Sequence, residues 1–279
     1  MPCSERIGFS GRSEWFHTEQ TITATQIDSS PSRSGFCRLR DTMRHYMQLR
    51  MRINISLLQL AALARAESSD DADFLFRLGL MEGHLIVGRD LVQADRPKPA
   101  LPHFGHPVRE LYDDIKDYLA AKKLPPFDTQ LIALEAQVTK APKSPATAAK
   151  FDQVIAAIHR ARDATPAEVR ASVPAMIGIC ADTLEAAAGE YGQSIEKGKI
   201  ESLVEYHDSR GFVSYLDQEL GRLDAQANGE SDRGLIARFK AVVAKAQVIV
   251  APLLPPDRPI KPVSEYRAIA AEARHLAKR

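Results

Sequence analysis

From Asp71 onward apolar residues return every three or four positions, and that spacing persists almost to the end of the chain. In "DADFLFRLGLMEGHLIVGRDLVQ" one line runs Phe74, Leu78, Met81, Leu85 and a second runs Leu80, Val87, Leu91. Both lie on a helix presenting two apolar faces. "PVRELYDDIKDYLAAKK" places Pro107 at a first helical position and aligns Val108, Leu111, Ile115 and Leu119. Shorter helices follow in "FDTQLIALEAQVTK" and "AKFDQVIAAIHRARD", separated by the loop "KAPKSPAT". Thr165, Pro166 and Glu168 form a capping pattern for a helix running to about Gly192, with Pro174 able to break its first turns. "SIEKGKI" is a turn or short linker. Helices are then expected over residues 201–227 and 232–254, and a last one, capped by Ser264, to about residue 277.

No run of alternating β-branched residues interrupts this series. The fold class is therefore all-α, an antiparallel multi-helix bundle or array of seven to eight helices. The loop near residues 140–149 is the one place to divide it, into an N-terminal helical part (67–145) and a C-terminal part (146–279) of the same or a second bundle.

The first 66 residues differ in kind. Residues 1–42 carry Ser, Thr, Gly and Arg without any period, as in a leader that does not fold or that lies upstream of the true start. Residues 43–66 set basic residues and methionines before an apolar stretch from Ile53 to Leu63, then Ala64-Arg65-Ala66 and an acidic sequence. That is the layout of a signal peptide and implies export to the periplasm. The competing reading is a cytoplasmic protein with an amphipathic first helix behind a tail.

Composition narrows the function classes. The net charge of +1 conceals nine Lys/Arg against five Asp/Glu in residues 1–66, leaving 28 against 31 in the remainder. The main body thus has no basic footprint for nucleic acid. After Leu63 no stretch is apolar for long enough to span a membrane. Cys3 and Cys37 precede the expected cleavage, so Cys180 alone remains, among Ile177, Ile179 and Leu184, as a buried inert thiol. No haem attachment motif, nucleotide loop, HExxH or GxSxG occurs, and the single tryptophan, Trp15, lies in the leader. Nothing here marks an enzyme.

Two concentrations of polar residues bear on chemistry. In "LPHFGHPVRELY", His103, His106 and Glu110 fall within two turns, with His106 at the helix start because Pro107 disfavours the α region before it. His84 faces the core one helix earlier and can complete a set of imidazoles and carboxylate suited to Zn²⁺, Fe or Cu²⁺. The bland alternative is a helix start at which Gly105 turns the chain. The second concentration is "EYGQSIEKGKIESLVEYHDSRGF", where Glu201, Glu205 and Asp208 share a helical stripe and Glu190 can approach from the preceding helix. Such oxygen-rich ligands, with Tyr206 and His207, suit Fe³⁺ or Ca²⁺ and Mg²⁺; the alternative is a solvated acidic face with Arg210 as its counter-charge. His159, beside Arg160 and Arg162, reads as a surface residue.

The same segment resembles the helical extracytoplasmic domain associated with bacterial high-affinity iron permeases and related periplasmic proteins. The shared residues are Glu190-Tyr191, Gly198-Lys199, Glu205-Tyr206, the acid that follows and Phe212. More distantly it is similar to helical periplasmic proteins of the imelysin type, although their Gly-x-His-x-x-Glu signature is broken here by Val87 after His84. The resemblance implies export, a helical bundle and metal handling through Glu, His and Asp. The combined expectation is a periplasmic metal-binding or metal-sensing protein holding one Fe or Zn ion, iron first. Its metal ligands are drawn from His84, His103, His106, Glu110, Glu190, Glu205 and Asp208, and its partner is a periplasmic or inner-membrane protein. A metal-free helical adaptor for a protein partner is the alternative, favoured if His84 lies far from His103 and His106. A helical hydrolase, needing a deep pocket with two facing carboxylates, is the third reading.

Overall fold

The computed structural model describes residues 69–278, so the signal-peptide and leader readings lie outside the described residues. Helix α1 is described over residues 69–93. Its apolar residues divide between two cores, but not along the two lines read from the sequence, since Val87 and Leu91 of the second line join the first. Phe74, Leu78, Met81, Leu85 and Leu91 enter one core with α2 to α5, whereas Leu75, Leu80 and Ile86 enter a second core with the later helices. A helix apolar on two faces is a shared wall.

The elements that follow are α2 (Pro97–His106), a π turn (Pro107–Leu111), α3 (Tyr112–Ala121), α4 (Asp128–Lys140), α5 (Pro145–Asp163), the one-turn α6 (Ala167–Arg170) and α7 (Val173–Gln193). After a two-residue hairpin, β1 (Ile195–Glu196) against β2 (Lys199–Ile200), come α8 (Leu203–Gln226), α9 (Glu230–Ile249) and α10 (Val263–Ala277). The described residues are thus an all-α multi-helix bundle, as the periodicity requires. Its strand content is confined to the hairpin, where Lys197 (φ 51°) and Gly198 (φ 76°) make the tight turn that "SIEKGKI" encodes.

Helices α7, α8, α9 and α10 pack on one another around the second core. The proline-rich connection between α9 and α10 is pinned to them by side chains. Tyr191 donates to the Lys261 carbonyl (2.7 Å), Tyr206 to that of Pro252 (2.9 Å) and His207 Nε2 to that of Leu253 (2.9 Å). On the other side, the Tyr118 hydroxyl donates to Asp71 (2.6 Å) and its ring stacks on Phe74, fastening α3 to α1.

Four local expectations are corrected. His106 was expected at a helix start, yet it ends a helix, α2, that begins at Pro97. Pro97 and Pro99 occupy the first turn, where backbone N–H groups have no helical partner to lose, and only Pro102 sits inside the helix. The expected turn at Gly105 is also absent. His106 keeps right-handed helical angles (φ −55°, ψ −44°), and the chain passes through the π turn into α3. Pro107 has no N–H for the His103 carbonyl and its ring would press on it; a wider turn relieves that conflict without ending the helix. Third, Thr165 does not cap a long helix: it donates to the Arg162 carbonyl (2.6 Å), and α6 is a separate turn. Helix α7 starts afresh at Val173, capped by Ser172, with Pro174 tolerated in its first turn. At the last helix, Pro262 rather than Ser264 holds the cap position.

Candidate metal centre

Asp208 projects from α8 toward three imidazoles carried on α1 and α2. His84 Nδ1 lies 2.6 Å and His103 Nδ1 2.7 Å from its Oδ1, and His106 Nδ1 lies 3.4 Å from its Oδ2. His103 and His106 are one helical turn apart, so both rings leave α2 on the same side. His84 arrives from α1, its ring 6.4 Å from that of His103 and 5.0 Å from that of His106 between centroids. Phe212, one turn after Asp208, closes against the edge of His84. His84, His103 and Asp208 are buried and His106 is half-buried.

Two glycines permit this approach. Gly83, the neighbour of His84, faces Gly211, three residues beyond Asp208, and a Cβ on Gly211 would stand 2.3 Å from the Gly83 carbonyl oxygen. Helices α1 and α8 therefore touch through bare backbone beside the site, a distance that larger residues would not allow.

The electrostatics follow from burial around one carboxylate. Burial opposes charge on Asp208, yet the His84 charge and the hydrogen bonds with the histidines hold its carboxyl far below the usual range. Burial lowers His103 below the ordinary histidine value. Burial also pulls His106 down, but its contact with Asp208 and the charge of Glu110 outweigh that, so its pKa is raised. His207, next to Asp208, is lowered to about 4, first by burial, and is therefore neutral at ordinary pH.

The cluster fits a metal ion in donor type and in spacing. One ligand atom from each of His84, His103, His106 and Asp208 falls within 4.8 Å of every other. A four-coordinate ion with bonds of about 2.1 Å keeps its donors about 3.4 Å apart, so the imidazole–carboxylate separations need to open only slightly. His106 Nδ1, which faces the group, is buried without a hydrogen-bond partner, the condition of a group whose partner is not protein. The four side chains are geometrically suited to hold a metal.

The other expected ligands are distributed around this group. Glu110 lies on the exposed side of His106, 3.7 Å from its Nε2. Glu190, at the end of α7, is raised to about 7 by burial and by the charges of Asp208, Glu205 and Glu110. Glu205 accepts a short hydrogen bond from Ser202 at the start of α8, and Glu201 is exposed. The two concentrations of polar residues thus meet through Asp208, and the acidic stripe does not form a separate centre with it. Tyr206 and His207 are occupied by loop carbonyls, and Arg210 reaches Asp90 (3.7 Å), not the acidic stripe.

Two further readings change. His159 stays partly exposed but has a specific partner: its Nε2 meets the buried Glu82 (3.2 Å), which lies with Glu219, Arg222 and Arg162 in a charged network joining α1, α5 and α8. Cys180 is buried, with its thiol pushed far up by burial, as expected of an inert residue.

Residues 166–258 match the family of the iron permease-associated 4-helix bundle domain. This part of the chain is homologous to that family. No curated protein and no solved structure matches the chain. The matched segment runs from α6 through α9 into the loop beyond, so it includes Asp208, while His84, His103 and His106 lie before it. The helical segment recognised from "EYGQSIEKGKIESLVEYHDSRGF" sits inside the match. Among the described residues no helix is long and apolar enough to cross a membrane.

Proposed function

We propose that this protein binds a transition-metal ion, iron in its natural setting, in the site formed by His84, His103, His106 and Asp208, and that it works in the periplasm beside an iron-uptake system. The observation that carries the reading is the convergence of three imidazoles from two helices on one buried carboxylate. Imidazole with carboxylate suits Fe and Zn²⁺ alike, so ligand chemistry alone does not choose between them; the homology to an iron permease-associated domain favours iron. With its imidazoles in the neutral form that binds metal, the site would carry the single negative charge of Asp208, matched to a cation. Glu110, Glu190 and Glu205 extend the negative potential outward from His106 and would draw cations toward it. The signal-peptide layout of residues 43–66 supports export, and a periplasmic or membrane partner would receive or deliver the ion.

The test is titration of the full chain with Fe²⁺ under anaerobic conditions and with Zn²⁺ and Cu²⁺, beside the variant His103→Ala, His106→Ala. The wild-type protein should bind one ion with submicromolar affinity and the variant should not. Equal weak binding of all three ions by both proteins would overturn the reading. Submicromolar binding of Zn²⁺ or Cu²⁺ with no such binding of Fe²⁺ would leave a metal site but remove iron.

A further inference from the structure

His207 has no place in the ligand set, yet it lies against it. Its ring meets that of His103 edge-on, 5.5 Å between centroids at 77°. Each ring keeps one buried nitrogen without a partner, Nε2 on His103 and Nδ1 on His207. Their other nitrogens are committed, and those commitments define the protons. His207 Nε2 lies 2.9 Å from the Leu253 carbonyl, which can only accept, so Nε2 bears the proton and Nδ1 is a lone-pair acceptor. His103 Nδ1 lies 2.7 Å from the ionised Asp208, so in the metal-free protein its proton is on Nδ1 and its Nε2 is also an acceptor. Two acceptors side by side in a dry interior cannot satisfy one another, and each lacks a donor.

A metal on His103 removes this conflict. With a metal held through Nδ1, the neutral His103 imidazole would carry its one proton on Nε2, and its outer nitrogen would be a donor. We propose that His207 is the positioning residue of the centre, accepting a hydrogen bond from His103 Nε2–H through its Nδ1 and so holding His103 in the tautomer and orientation that bind metal. The chain Leu253 carbonyl, His207, His103, metal then runs without an unsatisfied atom. It ties the centre to the loop between α9 and α10. An outer partner of this kind is a regular feature of histidine-ligated metals. This inference rests on the metal-binding reading above.

The two amide substitutions separate the roles of the two nitrogens of His207. His207→Gln carries an amide near the Nε2 position, keeping a donor for Leu253 but leaving nothing for His103. His207→Asn carries one near the Nδ1 position, with an oxygen to accept from His103 but no reach to Leu253. Zn²⁺ titration of the full chain should show affinity reduced about 10–100-fold in His207→Gln and largely retained in His207→Asn. A role confined to pinning the loop predicts the opposite order. Long-range proton–nitrogen NMR of the wild-type protein gives a reading independent of any variant: His103 should carry its proton on Nδ1 without metal and on Nε2 with Zn²⁺. Wild-type affinity in His207→Gln, or a loaded protein without a proton on His103 Nε2, would overturn the proposal while leaving the metal site standing. Absence of Zn²⁺ binding by the wild-type protein would overturn both.

Discussion

Gly83 and Gly211 meet backbone to backbone where α1 crosses α8, with room for no Cβ on Gly211. His84 follows the first glycine directly, and Asp208 precedes the second by one turn. The closeness of the helices here sets the 2.6 Å contact between His84 and Asp208. Packing and chemistry share one constraint.

Gly211→Ala should therefore damage both. The added methyl meets the Gly83 backbone at 2.3 and 3.0 Å and cannot be relieved by a side-chain rotation. A loss of about 1–3 kcal/mol in urea unfolding is expected, together with weaker metal binding as His84 and Asp208 separate. Gly221→Ala, on the same helix with nothing within 4 Å of its Cβ, should be neutral or stabilising by up to about 1 kcal/mol. If both variants bind metal as the wild type does, the glycine contact does not set the site.

Asp208→Asn keeps the volume of the side chain and removes its charge. The imidazoles lose their common anionic acceptor, and stability without metal should fall by about 2–3 kcal/mol. Metal affinity should fall by more than the roughly 100-fold upper limit for loss of an outer partner. Calorimetric titration measures this, and a smaller loss would mean that Asp208 organises the histidines without binding the ion.

Glu190 gives the pH dependence. Its pKa rises from 4.5 to about 7 on folding, so the folded state disfavours its charge. The wild-type protein without metal should then lose stability from this group as pH climbs from 4.5 to 7, with no further loss above. Glu190→Gln cannot ionise and should match the wild type near pH 4 but melt at a higher temperature at pH 8. Melting curves that stay parallel across that range would contradict the assignment.

Arg222→Ala tests the network on the other side of α1. It strips the buried Glu82 and Glu219 of a shared partner, at a cost of about 3 kcal/mol. Because this network makes no hydrogen bond to the three histidines or Asp208, the metal affinity of the folded variant should equal that of the wild type. A large fall in affinity would show that α1 transmits the loss to His84.

The helical series was legible because burying one stripe of a helix imposes its period on the sequence, although the two apolar lines of α1 did not separate its two cores: Val87 and Leu91 pack with Phe74 and Leu78. His84 was legible for the same reason, since its neighbours along the face are Leu80, Val87 and Leu91. The continuity of α2 into α3 was hidden. Pro107 reads in one dimension as the first residue of a new helix, and a π turn leaves no mark in the pattern. The partner of His159 was hidden because Glu82 is 77 residues away.

The sequence by itself determined the helices, the inward direction of His84, the inert Cys180 and the family relation of the C-terminal helices, since each of these depends on local spacing or local motif. Only the tertiary structure decided that Asp208, and not Glu205 or Glu110, is the carboxylate shared by three histidines. It also decided that His207 stands behind His103. Asp208 lies 124 residues from His84 and 105 from His103. The choice among carboxylates on one stripe depends on a helix crossing at two glycines, a relation between distant segments that no local pattern records.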